Sequence, residues 1–240
     1  MTIFGIHSVA EALRADSVLQ VWVSNRRDRR LKQLMEQAER RGIDVRSVDR
    51  TELDRLANGG AHQGVVAHLA QFRQYGLAEL MESASGVPLI VVVDGVEDPQ
   101  NFGAIVRTAD AVGVDGVVYQ TRRAAPTSAA AMRASAGAMA HVRLAPVVNI
   151  ARTIEELKSL GVWSVGLDAS APLRYHEVDL DQPLALVLGA EGKGLRRLVR
   201  ERCDWLVSLP MCGQVSSLNV SVAAGVVLYE AIRRRGERGR

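Results

Sequence analysis

Three short stretches place polar side chains in otherwise apolar surroundings, and each follows a strand-like apolar run. In DGVEDPQNFGAIVRTAD (94–110) an apolar run empties into Glu97, Asp98, Pro99 and Asn101, and the helix beyond holds one arginine, Arg107. Asp98-Pro99 is turn chemistry and Asn101 is a good helix cap, so this stretch alone also reads as an ordinary helix start. In LALVLGAEGKGLRR (184–197) a strand runs into Gly189, Gly192 and Gly194, with Glu191 at the turn. Glycines permit positive φ and let a ligand approach the backbone, and loops beyond the carboxyl ends of strands are where open α/β sheets bind ligands. The spacing is G-x-x-G-x-G rather than that of a dinucleotide fingerprint, and Lys193 precedes Gly194 instead of the Ser or Thr of a P-loop. In SLPMCGQVSSLNVSVAAGVV (208–227) Ser216 is expected to cap a long helix whose buried face holds Leu218, Val222 and Val226. Ser217 and Asn219 exceed what capping needs, and a helix N-terminus suits a phosphate or carboxylate.

The elements that position these stretches follow from periodicity. Residues 1–75 read as a small alternating unit: helix IHSVAEALR, strand SVLQVWVS, an amphipathic helix stopped at Gly42, strand IDVRSVD, a short capped helix and strand GVVAHLA. Periodicity fades across 76–87, which is expected to be a linker. From Pro88 to Arg240 strands and helices alternate, starting with the continuous apolar run PLIVVVD, and this predicts a mostly parallel sheet covered on both faces.

Composition narrows the chemistry. The formal charge is +3 and the sequence pI about 9.1, a mild tilt towards a polyanionic partner. Aromatic residues make up 4% of the chain, which argues against base stacking on aromatic platforms as the main binding mode. Cys203 and Cys212 have no disulfide or zinc pattern, and His7, His68, His141 and His176 lack ligand spacing, so no metal is expected, while His62, beside Gln63 and Gly64, stays open between a structural and a substrate role. The N-terminus lacks signal-peptide character and no apolar run is long enough for a bilayer, so a cytoplasmic protein with no membrane partner is expected.

Taken in order, NFGAIVRTA, LVLGAEGKGL and LPMCGQVSSLNVSVA resemble the three motifs of the SpoU (TrmH) family, S-adenosylmethionine-dependent RNA ribose 2′-O-methyltransferases of the SPOUT superfamily. The resemblance runs from Pro88 onward. IFGIHSVAEALR and HQGVVA also resemble the small RNA substrate-binding domain of the RlmB branch, whose target is a guanosine in the peptidyl-transferase loop of 23S rRNA. The resemblance implies a parallel sheet whose C-terminal chain forms a trefoil knot, a homodimer with active sites near its interface, and S-adenosyl-L-methionine as cofactor. It implies Asn101, Arg107, Glu191, Ser217 and Asn219 as the catalytic set. It further implies a cofactor lying against Leu188, Gly189, Ala190 and Gly192 of the second motif and Leu209 and Met211 of the third, with Leu218 closing the pocket.

A ribose hydroxyl is a weak nucleophile until its proton leaves, so the reaction needs a base or charge stabilisation, together with tight orientation. No histidine lies in the three motifs. Guanidinium groups ionise above about 12, and using one as a base near neutrality costs about 7–8 kcal/mol. Two roles for Arg107 therefore stay open, base or charged stabiliser of the alkoxide, with Glu191 expected to hold it in either. Asn25–Lys32 is weighed as an RNA phosphate surface, Arg196–Arg202 as a solvated face, and the tail from Arg233 as a frayed end. A tRNA, another rRNA nucleotide or a pre-ribosomal particle remains an alternative substrate, and a non-catalytic rRNA-binding assembly factor an alternative class. Retention of all five polar residues counts against the last.

Overall fold

The computed structural model describes residues 2–14, 18–25, 28–69, 73–84, 86–121 and 128–238. The N-terminal unit comprises β1 (Thr2–Phe4), α1 (Ile6–Arg14), β2 (Val18–Ser24), α2 (Arg29–Arg40), β3 (Asp44–Val48), α3 (Arg50–Leu56) and β4 (Val65–Leu69). Its sheet runs β1-β4-β2-β3, with β4 antiparallel to both neighbours and β2 parallel to β3. Aspartates start both longer crossovers: Asp28 accepts the Arg30 N–H and Asp49 the Glu52 N–H, each at 2.8 Å, which satisfies N–H groups that a helix leaves orphaned. Strand β1, three residues long, is too short to show a period and was absent from the sequence-based expectation.

The expected linker 76–87 contains helix α4 (Leu77–Glu82), whose Leu77 and Leu80 are buried. Leu80 lies so close to Gly116 that a Cβ there would fall 2.7 Å from its side chain. Six residues present less than two turns, so the helix has no legible period and depends on this packing.

The larger unit comprises β5 (Leu89–Asp94), α5 (Pro99–Val112), β6 (Gly116–Gln120), α6 (Ala129–Ala134), a 3₁₀ turn (Ala138–Ala140), β7 (Leu144–Val147), α7 (Ile150–Ser159), β8 (Trp163–Leu167), β9 (Leu173–Arg174), β10 (Leu184–Gly189), α8 (Arg197–Arg202), β11 (Trp205–Ser208) and α9 (Val220–Arg238). Every strand pairing is parallel, in the order β7-β6-β5-β10-β8-β11-β9. The late strand β10 is thus inserted between β5 and β8, and its last residue, Gly189, lies beside Asp94. Alternation divides the core in two: Val91, Val93, Leu186 and Leu188 pack with α5 and α9, while Ile90, Val92, Ala185 and Val187 pack with α4, α7 and α8. The two units meet where the Arg133 guanidinium lies 4.6 Å over the Phe4 ring and Gly137 adjoins Glu11.

Helix α9 departs from expectation at both ends. It starts at Val220, and its buried side holds Ala224, Val227, Leu228 and Ala231, whereas Leu218, Val222 and Val226 are exposed. In a segment this rich in small apolar residues two faces fit a helical period, and contact with α5 selects between them. The basic tail is no frayed end through Arg235. Arg234 donates to the Val178 carbonyl at 3.0 Å, and Arg235 donates to the carbonyls of Val87, Pro88, Leu180 and Gln182 at 2.6–3.2 Å. These bonds tie α9 to the start of β5 and to the segment before β10. Arg235→Ala leaves those carbonyls without the donor, and hydrogen bonds from a charged group contribute about 1.5–3 kcal/mol. A loss of at least about 1.5 kcal/mol in urea unfolding is expected, and an unchanged midpoint would remove this role.

Candidate active site

The glycine-rich loop after β10 folds back on its own strand. Ala190 and Gly194 exchange backbone hydrogen bonds at 3.1 and 2.8 Å, with Gly192 at φ 73° and Gly194 at φ 65°. A Cβ on Gly189 would lie 2.2 Å from the Gly194 carbonyl carbon, so only glycine permits this closure. Arg196 latches the loop from outside: its backbone N–H and Nε donate to the fully buried Asp94 carboxylate at 3.0 and 2.6 Å. The acid that ends β5 therefore fixes the loop that ends β10.

The loop holds Glu191 against the other two polar stretches. Asp98, not Asn101, caps α5, accepting the Gln100 N–H at 2.9 Å. Asn101, 7% exposed, is free to donate through Nδ2 to Glu191 Oε2 at 2.8 Å. Asn219 Nδ2 donates to Asn101 Oδ1 at 2.8 Å and to Glu191 Oε1 at 3.2 Å. Asn219 Oδ1 accepts the Ser221 N–H at 2.9 Å and its hydroxyl at 2.6 Å, so Asn219 caps α9, in place of Ser216. Residues 216–219 lie before the helix, and all four line the cavity beside it.

A cavity of about 390 Å³ opens beside this network. Leu188, Gly189, Ala190 and Gly192 form one wall, Leu209 and Met211 another, and Leu218 lies at the edge. Glu191, Ser217 and Asn219 line it too; Asn101 stands behind Glu191. Arg107 is exposed on α5, away from the cavity lining, and among the described residues it pairs with no carboxylate. The expected Glu191–Arg107 pair does not form, because Arg107 lies on the exposed face of α5 whereas Glu191 meets the buried Asn101 in the first turn of that helix. Asp168, beyond the end of β8, also lines the cavity and had not been singled out. Burial pushes its carboxyl up, but hydrogen bonds from the Ser170 hydroxyl and N–H and the Arg200 guanidinium outweigh this and hold it below its usual range. Its place after an apolar strand was the available signal.

The remaining candidates separate cleanly. Arg196–Arg202 is committed to ion pairs: Arg196 with Asp94, Arg197 with Glu201, Arg200 with Asp168 and Arg202 with Glu155. Of Asn25–Lys32, Arg26 and Arg27 lie outside the described residues, while Arg29, Arg30 and Lys32 are exposed on α2. Cys203 is half-buried, and desolvation pushes its thiol up to about 12, so it is no nucleophile near neutrality. Among the described residues no His, Cys, Asp or Glu cluster could hold a metal ion, and no helix is long and apolar enough to cross a membrane.

Comparison with known proteins bears on this architecture. The model of the SpoU rRNA Methylase family matches residues 88–229. The chain belongs to that family. A second family model, RNA 2′-O ribose methyltransferase substrate binding, matches residues 2–75. The chain is 46% identical to the 23S rRNA (guanosine-2′-O-)-methyltransferase RlmB of Pseudomonas aeruginosa, across 97% of this chain and 96% of that one. It is also 46% identical to RlmB of Bordetella pertussis, across 96% of both. Among solved structures, the AdoMet-bound rRNA methyltransferase of Sinorhizobium meliloti superposes with a TM-score of 0.79 at 26% identity, across 97% of this chain and 87% of that one. The two relatives and the solved structure thus span both units of this SpoU-family chain.

Asn219 has two separable duties. Asn219→Ala is expected to cost about 1–2 kcal/mol through the lost cap. Asn219→Ser keeps a capping oxygen and should recover most of that in thermal unfolding while leaving Glu191 with Asn101 alone. Equal stability of wild type and Asn219→Ala would rule out the cap.

Proposed function

We propose that the protein methylates the ribose 2′-hydroxyl of a guanosine in the peptidyl-transferase loop of 23S rRNA, in the cytoplasm, with S-adenosyl-L-methionine as methyl donor. The observation that supports this most directly is the Asn101–Glu191–Asn219 network at the mouth of a glycine-walled cavity, in a chain that resembles RlmB along nearly its whole length. The residues fit the cofactor. The cavity volume lies within the range of about 300–1,000 Å³ common to small-molecule sites. Gly189 and Gly192 expose backbone for close approach, and Leu188, Leu209, Met211 and Leu218 supply apolar contact. When bound, S-adenosylmethionine supplies an electrophilic methyl group on a sulfonium.

The chain's own groups orient and discharge the hydroxyl. Asn101 and Asn219 hold the Glu191 carboxylate in one orientation, and Ser217 offers an exposed hydroxyl at the cavity edge to a substrate phosphate. Arg107 serves the ribose, as base or as charged stabiliser of the alkoxide.

We infer that a second copy completes the site. Val215, Leu218, Val222, Val226 and Tyr229 are 39–64% exposed along α9 and the loop before it, an apolar surface beside the cavity. Arg107 stands on α5, the helix packed against α9, where a partner would meet it. A trefoil knot in the C-terminal chain accords with the insertion of β10 between β5 and β8 and with the lining of one cavity by both the 190–194 and 209–219 loops.

Transfer of labelled methyl to a transcript of the 23S peptidyl-transferase region, with the product mapped, tests the activity. Wild type should give one 2′-O-methylguanosine, and Arg107→Ala should slow single-turnover transfer by about 10²–10⁴-fold, the range of a general acid–base group. A pH–rate profile whose ionisation disappears in Arg107→Lys would identify the base; one that persists would identify the stabiliser. Transfer to tRNA alone would move the substrate reading. For the dimer, Val226→Glu should convert a dimer to monomers by light scattering; a monomeric wild type would overturn it.

A further inference from the structure

A second site lies in the N-terminal unit, in the loop between α3 and β4. A cavity of about 310 Å³ opens there, lined by Ser24, Arg50, Asp54, His62, Gln63 and the backbone of Gly59–Ala61. Of the three non-glycine residues with positive φ among those described, two belong to this loop: Asn58 at 49° and Gln63 at 51°. Asparagine tolerates that conformation but glutamine gains nothing from it, and such strain persists where the surrounding structure enforces it. Here the enforcement is visible. Gln63 Oε1 accepts the Ile6 N–H at 3.1 Å, and Gly64 sits where a Cβ would fall 2.7 Å from Ser24 Oγ.

The polar groups of the cavity form a relay with an open end. His62 Nδ1 accepts the Gly64 N–H at 3.0 Å, so the ring proton resides on Nε2 and is donated to Asp54 Oδ1 at 3.1 Å. The other Asp54 oxygen lies 3.7 Å from Arg50 Nε. The imidazole, only 12% exposed, thus holds the carboxylate, which lies within ion-pair distance of the guanidinium. The Arg50 side chain remains 73% exposed at the rim. Ser24 Oγ is buried in the wall with no hydrogen-bond partner, a condition that costs about 1–3 kcal/mol and calls for a ligand or a function. The backbone N–H groups of Ala61, His62 and Gln63 also have no partner among the described residues. Arg50 supplies the guanidinium in the lining, beside a single carboxylate, Asp54.

We propose that this cavity binds one unstacked nucleotide of the RNA substrate, with its phosphate on Arg50 and its ribose 2′-hydroxyl on Ser24. The proposal rests on the reading of the chain as an RNA methyltransferase and adds where its N-terminal unit grips the RNA. A concave site of this size suits a single splayed nucleotide rather than the broad shallow groove of a duplex. A donor-acceptor hydroxyl in the wall matches the group that distinguishes ribose from deoxyribose. A guanidinium that is largely exposed and makes only a long ion pair keeps its N–H groups available for the fork that phosphate accepts.

The test measures binding of the full-length protein to the 23S peptidyl-transferase transcript, and to single-stranded DNA of the same sequence, across a salt series. Thermal unfolding and calorimetric affinity for S-adenosylmethionine serve as controls. Arg50→Ala should weaken RNA binding about tenfold and lower the slope of log K against log salt by about 0.7, the share of one single-strand phosphate contact. Ser24→Ala removes a buried unpartnered hydroxyl, so its melting temperature should hold or rise while its preference for RNA over DNA shrinks several-fold. Wild-type RNA affinity, salt slope and RNA preference in both variants, with cofactor affinity intact, would overturn the site. Failure of the substrate reading has a different signature: wild type itself neither binds nor methylates the transcript. The same variants are then measured on total tRNA, where equality with wild type overturns the site equally.

Discussion

One carboxylate holds the three motifs in register. Glu191 accepts from Asn101, ninety positions away in the chain, and from Asn219, and the two asparagines bond to each other across 118 positions. Each partner is also bound to a stiff element: Asn101 to the first turn of α5, Asn219 to the start of α9, and Glu191 to a loop locked by Asp94 and Arg196. A hydrogen bond in such a chain contributes little alone, but Asn101 is buried while Glu191 and Asn219 are exposed, so an unpaired amide would be costly at Asn101 above all. The cavity inherits its shape from that arrangement.

The sheet makes the network possible. Parallel strands deliver all their carboxyl ends to one edge, and the insertion of β10 beside β5 brings Gly189 level with Asp94. Steric closeness does the rest: Gly189 meets Gly194 at a distance no side chain tolerates, so the loop closes over its own strand. Beneath, two apolar layers clamp the sheet, and Arg235 stitches the far end of α9 to four carbonyls. The site end and the anchor end of α9 are thus fixed by different chemistry, amide hydrogen bonds at one and a guanidinium clamp at the other.

The basic residues show how poorly charge alone predicts a role. Arg196–Arg202 contains four arginines, and all four pair with carboxylates. Arg50 stands singly, yet its carboxylate is itself braced by a histidine and its side chain faces solvent. Ion pairing does not separate Arg50 from Arg197, since both stand in exposed pairs four residues apart; the polar cavity beside Arg50 does, and sequence does not report that.

The strand and helix alternation, the apolar central strands and the three polar stretches were legible because each is local: a period of two or 3.6, or an unusual residue within a few positions. Resemblance of those stretches to a family extended this to Asn101, Glu191, Ser217 and Asn219 and to the glycine wall. Four features required the tertiary structure. Which face of α9 is buried depended on α5; which residue caps it, on where Glu191 lies; whether Glu191 meets Arg107, on which face of α5 turns to the 190–194 loop; and the rim at Asp168, on the strand order. All are contacts between distant segments, and a linear pattern records what each segment prefers but not which neighbour will satisfy it.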